Sequence, residues 1–183
     1  MLKLLPLIPL FPLVSSILLM VTLGKMPKRF VAILGAGSVG LAAVVTLLVG
    51  LAFMESGQPH HQILWTWMQV GNFSPDIAFY LDGLTLVMMS VITGVGFLIH
   101  LFSTEFMEDD VSFSRYFAYL NMFVFAMLIL VMADNLLLLY LGWEGVGACS
   151  YLLVGFWYQD PANGAAARKA FVVTRIGDAA MAV

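Results

Sequence analysis

Polar residues in this chain gather in short clusters, and the stretches between them are apolar for about the thickness of a bilayer. The clusters fall at Lys25 to Arg29, Glu55 to His61, Glu105 to Asp110, Asp134-Asn135 and Gln159 to Asn163. At 1.5 Å rise per residue, about 20 apolar residues cross a hydrocarbon core of about 30 Å. That spacing predicts helices over 4–24, 30–54, 83–104, 113–133 and 136–158, with a sixth starting near 164 and still running at Val183. The run from Tyr116 to Trp157 is too long for one crossing, and Asp134-Asn135 splits it into a tight antiparallel hairpin. The pattern is that of an all-α polytopic membrane protein with about six transmembrane helices, the last one truncated, in a single membrane domain over 1–183.

One connection departs from this pattern. Within 57–81, Ile63 to Val70 is rich in β-favouring residues, Gly71-Asn72 can turn the chain, and Ile77 to Leu81 can return it, which predicts a short extended, β-like segment. Trp65 and Trp67 read first as interfacial aromatic anchors and second as part of a small exported hairpin that contacts a neighbouring subunit.

Composition sharpens the membrane reading. The chain is 62% hydrophobic and 10% charged, with a mean hydropathy of +0.98, well outside ordinary soluble proteins. A net charge of −3 with no basic stripe gives no handle for nucleic acid. Cys149 is the single cysteine and lies in an apolar run, so it offers neither a disulfide nor a cysteine-based metal site and reads as a small packing residue. Met1 to Gly24 resembles a signal peptide in having Lys3 before an apolar stretch. It is nevertheless as long as a span, carries three prolines and ends at Lys25 rather than at a small-residue cleavage site, so it reads as a membrane helix.

Lys and Arg set the expected orientation. Lys25, Lys28, Arg29, Arg115, Arg168 and Lys169 fall in the odd-numbered loops, against Lys3 alone on the other side, six to one. The odd-numbered loops are therefore expected in the cytoplasm and the N-terminus outside.

Gly35-Ala36-Gly37-Ser38-Val39-Gly40 follows an apolar run in the manner of a dinucleotide-binding fingerprint, with Glu55 near the place of a ribose-binding acid. Leu41 to Met54, however, offers only Thr46 as a polar side chain, and no strand–helix alternation follows. Ala32, Ala36 and Gly40, at four-residue spacing, instead suit close approach of a neighbouring helix.

Away from the interfaces, three strongly ionisable residues lie inside the predicted spans: Glu144, Arg175 and Asp178. A carboxylate at the bilayer centre costs about 2.5–3.5 kcal/mol, so such groups are first of all candidates for function. Glu144 is nine residues from Asn135 and Asp178 nine from Lys169. Each is thus roughly 13 Å from an opposite face, which brings the two near one central plane. Tyr140, Glu144 and Tyr151 share a helix face that Gly147 and Ala148 keep thin, and Thr174, Arg175 and Asp178 share another. Arg175–Asp178 reads equally as a local ion pair or as a functional pair, and Glu144 as a proton or cation carrier or as a packing determinant. His100, near a helix end with Ser103 and Thr104, reads first as an interfacial polar residue and second as a relay member. His100, Lys169, Tyr140 and Tyr151 are auxiliary candidates. Asp82 and Asp134 are expected to cap the helices they precede. No spacing suits a metal site, a nucleophile–base pair or a phosphate loop.

Several stretches carry a resemblance: Leu64-Trp65-Thr66-Trp67, Asp82-Gly83-Leu84-Thr85-Leu86, 93–100, 133–157 around Gly142-Trp143-Glu144-Gly145-Val146-Gly147, and 163–178. They resemble the L-type chain of bacterial respiratory complex I, the proton-translocating NADH:quinone oxidoreductase, over essentially the whole sequence. They are also similar to the large subunit of multisubunit cation/proton antiporters. The resemblance implies a non-catalytic, antiporter-like subunit of the respiratory chain in the bacterial inner membrane, moving protons through half-channels and a central charged axis. Glu144 corresponds to a fifth-helix glutamate that modulates a pumping lysine, and Arg175 with Asp178 to a charged pair on the sixth helix. No cofactor is implied in this chain; flavin, iron–sulfur clusters and quinone are expected in partner subunits. Expected partners are other membrane subunits, among them an M-type neighbour, and the lipid bilayer. The family's lysine lies on a helix beyond residue 183, so the chain looks like an N-terminal fragment or truncated reading frame, with the cationic partner of Glu144 outside it. A structural membrane module, whose buried charges only fix helix packing, is the other class of reading.

Overall fold

The computed structural model describes residues 1–69, 71 and 74–182. Val70, Asn72 of the expected turn and Val183 at the expected end of the sixth helix lie outside the described residues. Proline decides how the chain enters the membrane. The expected helix over 4–24 is two pieces, a 3-10 turn at Leu2–Leu4 and then α1 over Leu7–Val21, with Pro6 at its start and Pro12 inside it. A proline has no N–H to donate and its ring crowds the preceding turn, so regular α-helix settles only after Pro6.

Next come α2 (Lys28–Ser56), β1 (His60–Thr66), β2 (Asp76–Leu81), α3 (Gly83–Phe106), α4 (Phe113–Met132), α5 (Leu136–Val154) and α6 (Pro161–Ala182). Pro27 caps α2, and Gly57 ends it in the left-handed conformation (φ 61°) that side-chain-bearing residues rarely adopt. The 29 residues of α2 make it about 43 Å long, more than a bilayer core needs. Asp82 caps α3, its carboxylate accepting from Thr85 N at 2.8 Å.

The expected cap at Asp134 is corrected. Asn135 caps α5, accepting from Leu138 N at 3.0 Å. Asp134 instead donates its backbone N–H to Ala78 O at 3.2 Å, within a bridge between Phe79 and Ala133, so the hairpin has claimed the position. Helix α5 also stops earlier than 158, at Val154, and α6 starts earlier than 164. Pro161 suits a first helical position, and the Asp160 carboxylate accepts from Ala162 N at 2.9 Å. Arg168 and Lys169 consequently lie inside α6 rather than in the preceding loop.

Among the described residues, five helices are long and apolar enough to cross a membrane: Leu2–Val21, α2, α3, α4 and α5. Helix α6 carries Arg168, Lys169, Arg175 and Asp178 in 22 residues and is the least apolar of the long helices. The extended segment expected within 57–81 is the antiparallel pair β1–β2, with a bulge between Ile63 and Trp65.

Helix α4 is the hub of the bundle, packing against α1, α2, α3 and α5, while α6 packs on α5. An apolar cluster including Ile8, Val49, Phe79, Met89, Leu128 and Leu138 fills the hairpin end. A second, with Leu19, Val31, Phe113, Phe117 and Phe156, fills the opposite end. Buried hydroxyls and one amide cross between helices: Ser16 Oγ donates to Ala118 O at 2.8 Å, and Ser38 Oγ to Asn121 Oδ1 at 2.7 Å. In lipid, such bonds and close packing hold helices together where solvophobic pressure is absent.

The glycine-rich motif lies in the interior of α2. A Cβ at Gly35 would stand 2.5 Å from the Phe117 ring, and one at Gly40 2.9 Å from the Phe97 ring. The close approach is therefore made by Gly35 towards α4 and Gly40 towards α3, rather than by a row of Ala32, Ala36 and Gly40.

Candidate functional site

Helix α5 joins two different surfaces. Towards α4 it presents Gly142 and Gly145: a Cβ at Gly142 would lie 2.6 Å from the Leu130 backbone N, and one at Gly145 3.0 Å from Ala126 Cβ. The expectation that Gly147 keeps α5 thin is corrected, since a Cβ there would meet nothing within 4 Å. Towards α6 it presents Trp143, Glu144 and Tyr151, which meet Asp178, Arg175 and Phe171 in antiparallel order.

Arg175 is the centre of this joint. Its Nη1 donates to Glu144 Oε2 on α5. Its Nε faces Asp178 Oδ2 of its own helix at 3.6 Å, and its guanidinium carbon lies 4.5 Å from the Phe171 ring centroid. Asp178 is nearly enclosed, and its Oδ1 accepts from Trp143 Nε1 at 2.6 Å. Glu144 thus meets one cation, Arg175, within this chain. The side chains of Arg175 and Glu144 remain 38% and 22% exposed, so the cluster is open on one side.

Trp143 was missed by the sequence reading. Helical-face arithmetic from Glu144 selects positions three, four and seven away on the same helix, whereas Trp143 is its immediate neighbour and its contact is made by another helix. The chemical capacity of the group follows from its charges. A guanidinium does not deprotonate in proteins, so two carboxylates and one arginine carry a formal charge of −1 when ionised. One proton, on either carboxylate, makes the cluster neutral, which suits an environment that penalises net charge.

The auxiliary candidates separate. Tyr151 packs edge-on against Phe171 at 5.5 Å, next to the cluster. Tyr140 lines a cavity of about 330 Å³ with Leu136, Leu137, Leu139 and Met181, one turn of α5 towards the hairpin end. Lys169 is exposed on α6, and Thr174 turns its hydroxyl back to Phe171 O at 2.9 Å. His100 is fully buried between α3 and α4, its Nδ1 2.7 Å from Gly96 O and its ring tilted against Phe117 at 6.0 Å. Ser103 is buried too, with Tyr116 Oη 3.3 Å away, whereas Thr104 is exposed and bonds to Leu101 O.

The end of the bundle opposite the hairpin is held by charge and aromatic surface. Lys28 Nζ donates to Glu108 O, and Arg115 lies 4.9 and 5.0 Å from the Phe156 and Tyr158 ring centroids. Trp157 Nε1 donates to Asp110 Oδ2 at 2.9 Å, which, with the Ser112 N–H and the charges of Arg115 and Lys28, holds that carboxyl below its ordinary range. Among the described residues no group of three or more His, Cys, Asp or Glu is placed to hold a metal ion.

Two family descriptions match. Residues 67–117 match the N-terminus of NADH-ubiquinone oxidoreductase (complex I) chain 5, and residues 133–183 the transmembrane region of NADH:quinone oxidoreductases and Mrp antiporters. The chain is 55% identical over 174 residues to NADH-quinone oxidoreductase subunit L of Escherichia coli (strain K12), an alignment covering 94% of this chain and 28% of that protein. It is 51% identical over 183 residues to the corresponding subunit of Pseudomonas aeruginosa, covering 98% of this chain and 30% of that protein. The chain thus spans under a third of the length of these curated relatives. Among solved structures, a chain of the membrane-bound sulfane sulfur reductase, an archaeal respiratory membrane complex, superposes with a TM-score of 0.71 at 21% identity, over 96% of this chain and 26% of that one, a likeness of fold.

Proposed function

Because this chain belongs to the family of antiporter-like membrane subunits of NADH:quinone oxidoreductase, matching the N-terminal part of subunit L, we propose that it forms part of a proton-translocating membrane subunit whose working group is Glu144, Arg175 and Asp178. It is a multi-pass protein of the bacterial inner membrane. The observation that carries the proposal is the sharing of Arg175 between carboxylates of two helices, an arrangement that neutralises itself by taking one proton. Two carboxylates facing one arginine in a bilayer are costly to assemble for packing alone. The open side of the cluster, at Glu144 and Arg175, leaves room for a further cation of the kind the family places on a later helix.

In this reading the redox chemistry, with its flavin, iron–sulfur clusters and quinone, belongs to partner subunits, and the neighbours in the membrane include an M-type subunit. The N-terminus faces the periplasm, as the position of Lys25, Lys28, Arg29 and Arg115 at the end opposite the hairpin supports. The test is Glu144→Gln in the full-length subunit within its assembled complex, measuring protons moved per NADH oxidised in inverted vesicles. A reduced ratio in normally assembled complex is expected. An unchanged ratio would overturn the proposal, and lost assembly with full pumping in the surviving complex would point to a packing role instead. Cation-dependent exchange without redox coupling would place the chain with the antiporters.

A further inference from the structure

Asp178 is held by two donors at unequal distances. Its Oδ1 takes the Trp143 indole N–H at 2.6 Å, whereas its Oδ2 stands 3.6 Å from Arg175 Nε. A charge-assisted N–H···O bond ordinarily measures about 2.7–2.9 Å, so the second contact is an ion pair that has not closed. Arg175 Nε is buried and finds no hydrogen-bond partner among the described residues, although a carboxylate lies beside it. Arg175 and Asp178 stand three residues apart on one helix, a spacing that brings side chains together without help. The two groups that draw them apart, Trp143 and Glu144, are consecutive residues of α5.

We propose that Trp143 is a positioning residue for the proton site: its indole N–H holds Asp178 away from Arg175 and so assigns the guanidinium to Glu144. The indole is a donor only and carries no charge, so it anchors the carboxylate without neutralising it. Arg175 is then left to Glu144, and the division of the arginine between the two carboxylates determines which of them is free to exchange its proton. Loss of the N–H lets Asp178 close on Arg175 Nε and draws the guanidinium from α5 towards α6.

This inference rests on the proton-carrying role proposed for Glu144, and the experiment separates the two. In the full-length complex, Trp143 is replaced by benzothienylalanine, which keeps the bicyclic shape and lacks the N–H, and in parallel by Phe. The expected result, per assembled complex, is a drop in protons moved per electron, since losing one hydrogen bond to a charged group shifts the underlying equilibrium about tenfold or more. In a cryo-EM map of the isosteric variant, Arg175 Nε and Asp178 Oδ2 are expected to close to about 3 Å. An unchanged ratio, or a distance that stays at 3.6 Å, overturns the inference. Impaired assembly of Trp143→Phe, with assembly and pumping both restored by the isostere, overturns it as well, because only bulk then matters. Reduced pumping in Glu144→Gln beside normal pumping in the isostere removes this inference alone. Normal pumping in Glu144→Gln removes the proposed function.

Discussion

His61 Nε2 and Asp134 Oδ2 lie 3.0 Å apart, joining β1 to the turn between α4 and α5. Asn135 Nδ2, which donates to Asp76 O at 2.7 Å, fastens the second strand to the same turn. The hairpin is thus seated on the start of the helix that carries Glu144. Both partners are partly exposed, so the contact contributes at most about 1 kcal/mol. His61→Ala and Asp134→Ala are each expected to speed limited proteolysis of the hairpin, and the double variant to add little to either. Additive effects in that cycle would show that the pair does not interact.

Asp110 gives a pH prediction. Its carboxyl lies below the ordinary range chiefly through the Trp157 indole, so its contribution is present above the unfolded value of about 3.9 and is lost as pH falls through the lower folded value. The latch between the loop before α4 and the end of α5 should therefore hold from neutral pH to pH 4 and open only in stronger acid. Amide hydrogen exchange at Ser112, whose N–H donates to Asp110 Oδ1 at 2.6 Å, reports the opening. Asp110→Asn should show fast exchange at every pH, and equal protection in that variant would refute the latch.

Gly142 and Gly147 make a paired prediction on stability. Gly142→Ala sets a Cβ 2.6 Å from Leu130 N and 2.7 Å from Leu130 Cα, backbone atoms that cannot rotate aside. The helices must separate, at a cost of about 1–3 kcal/mol. Gly147→Ala meets open space and should be neutral or gain up to about 1 kcal/mol of helix propensity. Thermal unfolding of the full-length subunit in detergent should rank the variants in that order.

Ser38 and Asn121 form a buried bond between α2 and α4 at 2.7 Å. Interhelical hydrogen bonds in bilayers average about 0.6 kcal/mol and reach about 1.7. Ser38→Ala and Asn121→Leu are each expected to destabilise by that order, with a coupling energy of similar size in the double variant. A coupling of zero by steric trapping would mean that each side chain acts alone, Asn121 through its bond to Phe117 O.

The class of the fold was open to sequence reading because apolar length is a one-dimensional property. Asp134-Asn135 could be placed as a break between spans, and Ile63 and Ile77 in an extended excursion, without knowing any neighbour. Details that depend on a second element were not open to it. Asp134 and Asn135 are equally good caps by residue type, and the choice between them was made by β2 through Ala78 O. Gly142 and Gly147 are equivalent in sequence, and only the path of α4 distinguishes them. Glu144 and Asp178 drew notice as isolated charges, while Trp143 did not, because an indole beside a glutamate carries no signal until the helix opposite supplies a carboxylate. The burial of His100 was closed to sequence reading too, since its position near a helix end says nothing of Phe117 lying over it.

The bond from Ser16 to Ala118 spans 102 residues, and it belongs to the seam that seats α1 against the hub of the bundle. A chain synthesised at about 5–20 residues per second presents α4 only some 5–20 s after α1 has entered the bilayer. During biogenesis the first helix must therefore wait with Ser16 unengaged while two further helices insert ahead of its partner. Ser15 can engage Leu34 O as soon as α2 enters, so it is Ser16 alone that an insertase or chaperone would have to shelter on this proline-bearing helix over that interval.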